Sequence, residues 1–179
     1  MPTETYTALA LREFEQLKKL ADRAIAQLPA DSFFAAPGAT DNSIAVIVKH
    51  VAGNLLSRWT DFLTADGEKS WRRRDSEFVL TPDDTRKSLL ARWDEGWTAL
   101  FGALRPLTDA DLGRTVMIRG EPMTVLQAVN RQLTHYAYHV GQIVYVAKHF
   151  AGAEWRSLSI PLGQSEQFNR APKTYLGKS

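Results

Sequence analysis

Four stretches of this chain repeat apolar residues at helical spacing, so any fold it adopts must bury four apolar helix faces together. The first covers roughly residues 5–28, with Phe14, Leu17, Ala21, Ala24, Ile25 and Leu28 on one stripe and Pro29 as its stop. The second follows "TDNS", where Asp41 or Asn42 can cap free N–H groups. It continues through Ile44, Ile47, Val48, Val51, Leu55 and Phe62 to about Thr64. For the third, "TPDD" offers Thr81 as cap, Pro82 at the first position and two carboxylates at the positive end of the dipole. Its stripe is Leu90, Trp93, Trp97, Leu100, Phe101 and Leu104. The fourth opens on "TVLQ", a capping box from Thr124 to Gln127, and runs to about Phe150 with Gly152 to end it. Just before it, "TVMIRGEPMT" places β-branched residues around "RGE" and predicts a short hairpin. The expected fold is all-α, an antiparallel four-helix bundle forming one domain over residues 1–179. The long links leave helix order and handedness open.

Composition narrows the function. A chain of 179 residues, 44% hydrophobic, has material for a proper core. Its formal charge of +2 and pI near 8.9 come without the concentrated basic face that phosphate contacts require, so no nucleic-acid partner is expected. There is no cysteine, which removes disulfides, thiolate ligands and a cysteine nucleophile together and suits a reducing compartment. "MPTETYTALALREFEQ" lacks the apolar run of a signal peptide, and no stretch approaches the ~20 apolar residues of a membrane span. A soluble cytoplasmic protein is the expectation.

The chemistry lies in the histidines. His135 and His139 in "HYAYH" stand four apart, so they share one helix face and can both reach a single ion at ~2.0–2.1 Å. Ala128, Gln132, Gln142 and Val146 lie on that face, beside the apolar side of Val125, Val129, Leu133, Val140, Ile143 and Ala147. His149 is ten residues beyond His139, about 15 Å along the axis, and reads as a cation near a helix C-terminus. His50, in "VIVKHVAGN", sits where the apolar stripe of the second helix meets Asn54 and Arg58. A lone histidine on such a border is usually a core or surface residue satisfied by a neighbour. Convergence of all three from two helices favours a metal.

Three protein ligands leave an open coordination position, the pattern of catalytic zinc sites. "HYAYH" lacks the glutamate that H-E-x-x-H supplies as general base, which argues against peptidase chemistry. A metal can bind a thiol directly and stabilise its thiolate; with no cysteine present, that thiol would come from a cosubstrate. Simple hydrolysis by metal-bound hydroxide, or a non-catalytic metal-binding role in stress, stays open. No catalytic side chain is assigned. Gln132, Gln142 and Asn54 are candidates to orient a bound molecule, although buried amides more often complete local hydrogen bonding. "WRRR", beginning at Trp71, can grip an anionic cosubstrate, or lie as a solvated loop or partner contact, as charge runs usually do. Trp59, Trp93 and Trp97 read as core or interface aromatics. The tail "EWRSLSIPLGQSEQFNR" shows no periodicity and reads as an irregular extension, covering the bundle end or embracing a second subunit.

A histidine in "VKHVAGN" and the pair in "HYAYHVGQI" resemble the DinB-like, or YfiT-like, superfamily of metal-binding four-helix bundles, over nearly the whole chain. "NSIAVIVKHVAGN", "SRWTDFLTADGEK", "WRRRDSEF" and "SLSIPLGQSEQFN" are similar to one bacterial subfamily of it. The resemblance implies His50, His135 and His139 as metal ligands, zinc or nickel as the ion, and a homodimer. It also implies a transferase or isomerase using bacillithiol, mycothiol or glutathione on a small electrophile. The superfamily name implies nothing about binding DNA.

Overall fold

The computed structural model describes residues 4–170. Four long helices carry it: α1 (Tyr6–Ile25), α2 (Ile44–Trp59), α3 (Arg86–Leu104) and α4 (Val125–Ala151). A short α5 (Ser165–Arg170) follows, and β1 (Thr115–Ile118) pairs antiparallel with β2 (Glu121–Thr124) between α3 and α4. The structure is mainly helical with one small sheet, compatible with an all-α bundle. Among the described residues no helix is long and apolar enough to cross a membrane.

Local chemistry explains most boundaries. Thr124 caps α4 in the expected capping box with Gln127, and Gly152 ends the helix at positive φ. The expected hairpin forms, with Arg119 and Gly120 both at positive φ in a two-residue turn. Three expectations need correction. The cap of α2 is Ser43, whose side chain accepts from the Val46 N–H, rather than Asp41 or Asn42, and the helix stops at Trp59. Thr81 does not cap α3. Asp84 Oδ2 accepts from the Thr81 N–H at 2.7 Å and its hydroxyl at 3.0 Å, so "TPDD" closes on itself as a turn. Thr85 then caps the helix, boxed with Ser88. The tail is not wholly irregular, because it ends in α5; its first part covers the end of α1, where the Arg156 N–H reaches Gln27 Oε1 at 2.7 Å.

Side-chain pairs reveal the helix directions. Tyr6 donates to Asn130 near the start of α1 and α4, and Gln27 meets Arg156 beyond the end of both, so α1 and α4 run the same way. Lys18 pairs with Asp94, and Arg86 reaches the Ile25 carbonyl, so α3 opposes α1. His50 faces His139 while Asn54 and Trp59 meet Tyr136, so α2 opposes α4. Gly96 lies against Ala52 and Leu55, where a Cβ would come within 2.8 Å of Leu55 Cβ, and Lys49 pairs with Asp84 just ahead of α3. The helices α2 and α3 are therefore parallel. Residues 60–85 must return along the whole length of α2, which fixes the order that sequence left open.

The core joins one ring from each long helix. Phe14 of α1 lies 6.0 Å from Trp59 of α2 and 5.9 Å from Tyr136 of α4, which is 5.6 Å from Trp97 of α3. Trp59, Trp93 and Trp97 are all buried. Tyr136 hydroxyl accepts from Trp59 Nε1 at 3.1 Å and donates to Asn54 Oδ1 at 3.0 Å, which satisfies the polar atoms that burial would otherwise strand. Replacing Tyr136→Phe should leave both partners unpaired at a cost of about 1–3 kcal/mol. Thermal unfolding should show Tm lowered by several degrees; an unchanged Tm would contradict this role.

Candidate metal centre

The antiparallel pairing of α2 and α4 brings the three predicted histidines together. Their ring nitrogens offer one ligand atom each, all within 4.8 Å of one another. His139 Nε2 and His135 Nε2 are 3.2 Å apart. Two nitrogens bound tetrahedrally to zinc at ~2.0–2.1 Å stand about 3.3 Å apart, so this pair already has the spacing of co-ligands. The His50 ring centroid lies 4.9 Å from that of His139 and 5.5 Å from that of His135. His149 stays outside the cluster, exposed and packed on Phe150.

Each ring is oriented differently. His50 Nδ1 donates to Glu77 Oε2 at 2.8 Å, which turns its Nε2 lone pair toward the other imidazoles. His139 Nδ1 donates to Gln142 Oε1 at 2.8 Å, with the same effect. Such outer partners hold metal-binding histidines in tautomer and orientation. His135 Nδ1 is buried with no partner among the described residues. Two half-buried imidazoles and one buried one, each offering a ring nitrogen to the same point, form a donor set that fits a divalent ion.

Glu77 was not foreseen from sequence. It lies in a 3₁₀ turn (Arg74–Phe78) of the long link, without periodicity to mark it. Both oxygens are held by Arg72, at 2.8 Å from Nε and 2.9 Å from Nη2. The carboxylate fits against α2 only because residue 53 is glycine; a Cβ there would come within 2.8 Å of Glu77 Cδ. A glycine one helical turn after His50, inside a helix, was the available signal. "WRRR" is solvated at Trp71, Arg73 and Arg74 but not at Arg72, whose side chain is 2% exposed. Gln142 orients His139, Asn54 serves Tyr136, and Gln132 is buried with Oε1 unpaired.

The electrostatics favour neutral rings at His135 and His139. Burial, reinforced by the neighbouring imidazoles and by Arg72 and Arg58, lowers His135 to about 3. Burial lowers His139 to about 4 against the opposing hydrogen bond to Gln142 Oε1. Burial alone would raise Glu77, but His50 and Arg72 hold it below the usual carboxylate range. Above pH 5 His135 and His139 therefore present unprotonated nitrogens beside an ionised carboxylate, the state that metal binding needs. A cavity of ≈ 180 Å³ opens against His50 and His135, with Asn54 and Gln132 in its wall.

Residues 2–164 match the family described as protein of unknown function (DUF1572). No curated protein matches the chain.

Two outcomes follow from this geometry. Gly53→Ala should displace Glu77, release His50 and weaken zinc affinity roughly 10–100-fold, measured by competition with a chelating dye. Unchanged affinity would remove Glu77 from the site. In the unfolded chain the imidazoles titrate near ~6.5, whereas the folded values are about 3 and about 4, so the unfolded state binds more protons between those limits. Their contribution to the stability of metal-free protein is full above pH ~6.5 and lost as pH falls toward 3. Thermal melts in chelator should show that slope flattened in His135→Gln; equal slopes would contradict the burial effect.

Proposed function

The chain belongs to the DUF1572 family, and we propose that it is a DinB-like (YfiT-like) four-helix bundle, forming a single domain, that binds zinc or nickel through His50, His135 and His139. We infer that it transfers a low-molecular-weight thiol of the bacillithiol, mycothiol or glutathione type to a small electrophile. The observation that carries this reading is a three-histidine cluster from two helices with a cavity open beside it. Three ligands leave room for an exogenous group, as in catalytic rather than structural zinc sites.

A bound divalent ion supplies Lewis acidity, which lowers the pKa of a coordinating thiol and makes a protein base unnecessary. The chain's own residues orient and exclude. Glu77 and Gln142 fix the rings of His50 and His139. Glu77 is committed to His50 and Arg72 by both oxygens, which leaves it badly placed to activate water as a general base. Phe78 covers the outer face of His50, ring centroids 4.9 Å apart, and limits solvent there. The thiol has to come from outside because the chain has no cysteine. A cytoplasmic setting, where such thiols are kept reduced, and a homodimeric state complete the proposal.

Protein purified without added metal should carry stoichiometric zinc or nickel by elemental analysis. His139→Ala should lose most of it while keeping a helical circular dichroism spectrum. Wild-type metal content in that variant would refute the ligand assignment. A screen of the three thiols against small electrophiles should show metal-dependent turnover. Background rates with all three, in metal-loaded protein, would reject the transferase; turnover without any thiol would assign a hydrolase instead.

A further inference from the structure

We propose that the cavity beside the histidine cluster receives a small molecule bearing at least two acidic groups, carboxylate or phosphoryl. This names the substrate class of the site above and rests on that reading only in placing the molecule next to the metal.

The cavity's charge carries the inference. Besides the site residues already named, Arg58, Arg72, Arg74, Arg119 and Arg131 line it. They come from α2, the long link, the hairpin turn and α4, and so surround the space rather than forming one stripe. Three carboxylates pair with this group, and two of them serve its buried members. Glu68 Oε2 is shared by Arg58 at 2.9 Å, Arg119 at 3.2 Å and Arg72 at 3.4 Å, while Glu77 serves Arg72. Five guanidiniums against three carboxylates leave a formal excess of two positive charges, before any metal is counted. Arg74 meets only the exposed Asp75, at 3.6 Å, and Arg131 has no carboxylate within 4.0 Å among the described residues.

These cations are built into place. Arg58 and Arg72 have side chains only 4% and 2% exposed, so they cannot swing away to water, and burying them without anions nearby would be costly. Arg119 occupies the hairpin turn at φ 57. Its N–H donates to Asp66 Oδ1 at 2.8 Å, and the Gly120 N–H donates to Oδ2 at 2.7 Å. Arg74 stacks over Phe78 at 5.1 Å, and Phe78 lies on His50, so this guanidinium stands near the metal ligands. Gln132 is 3% exposed and keeps an unpaired Oε1, a handle for a donor on the incoming molecule. Guanidinium forks recognise carboxylate and phosphoryl oxygens in pairs, and a single acid would leave part of the excess uncompensated. The cavity's ≈ 180 Å³ suits a small molecule, and the chain's formal charge of +2 gives no broader basic surface for nucleic acid.

Calorimetry on the full-length, zinc-treated protein at low ionic strength tests this. Succinate carries two carboxylates and phosphonoacetate one carboxylate and one phosphonate; acetate and the neutral succinamide are the controls. At least one diacid should bind, with acetate and succinamide weaker by about 10-fold or more, and the better diacid shows whether phosphoryl is preferred. Arg131→Gln and Arg74→Gln, both at exposed positions, should each weaken the diacid about 10-fold with zinc content unchanged. Zinc-loaded protein that binds neither diacid, or binds them equally well in both variants, overturns the inference and leaves the metal reading standing. Arginine-dependent diacid binding in protein that retains no zinc supports the inference and rejects the metal reading.

Discussion

The seam between α2 and α4 is the contact on which the site depends. Along it His50 meets His139, and Asn54 and Trp59 meet the hydroxyl of Tyr136. The polar pairs fix the register of two helices whose apolar faces alone would tolerate sliding. A slip of one turn would move His50 by ~5.4 Å and separate it from the α4 pair. Tyr136 follows His135 in sequence and points about 100° away from it, so one residue locks the aromatic core while its neighbour faces the site. Core and site are two sides of the same helix.

A second constraint comes from the link between α2 and α3. Because those helices run parallel, this segment must travel the length of the structure, and it carries Glu68, Arg72 and Glu77 past the histidines on the way. Long connections in compact proteins usually serve function. Its first part is held by Ser57, which donates to the Gly67 carbonyl at 2.7 Å, and by Asp66 on the hairpin turn, and its far end by Lys49 on Asp84 at 2.7 Å. The buried ion pairs in this network contribute little net stability, since desolvation offsets their attraction. Their effect is orientation: Arg72 holds Glu77, and Glu77 holds His50.

Much of this was legible in the sequence. The four helices follow from periodicity, the start of α4 from Thr124 and Gln127, the hairpin from "RGE", and the meeting of the histidines from their borders with apolar stripes. The start of α3 was misplaced because Asp84 can either support a helix N-terminus or close a turn on Thr81. Its pairing with Lys49 at 2.7 Å, a tertiary contact, selects the turn. Glu77 lay beyond local reading, since it meets His50 across 27 residues of sequence, and only Gly53 hinted at a side chain seated on α2. The arginines around the cavity are scattered over four elements, so no run of sequence displays them together. Helix directions emerged only from the cross-helix pairs.

X-ray absorption spectroscopy on the zinc-loaded protein tests the central claim most directly. Three imidazole nitrogens at ~2.0–2.1 Å, with one further light atom that exchanges for sulfur near 2.3 Å when a small thiol is added, is the predicted result. Fewer than three imidazoles, or a fourth protein ligand that no thiol displaces, would contradict it.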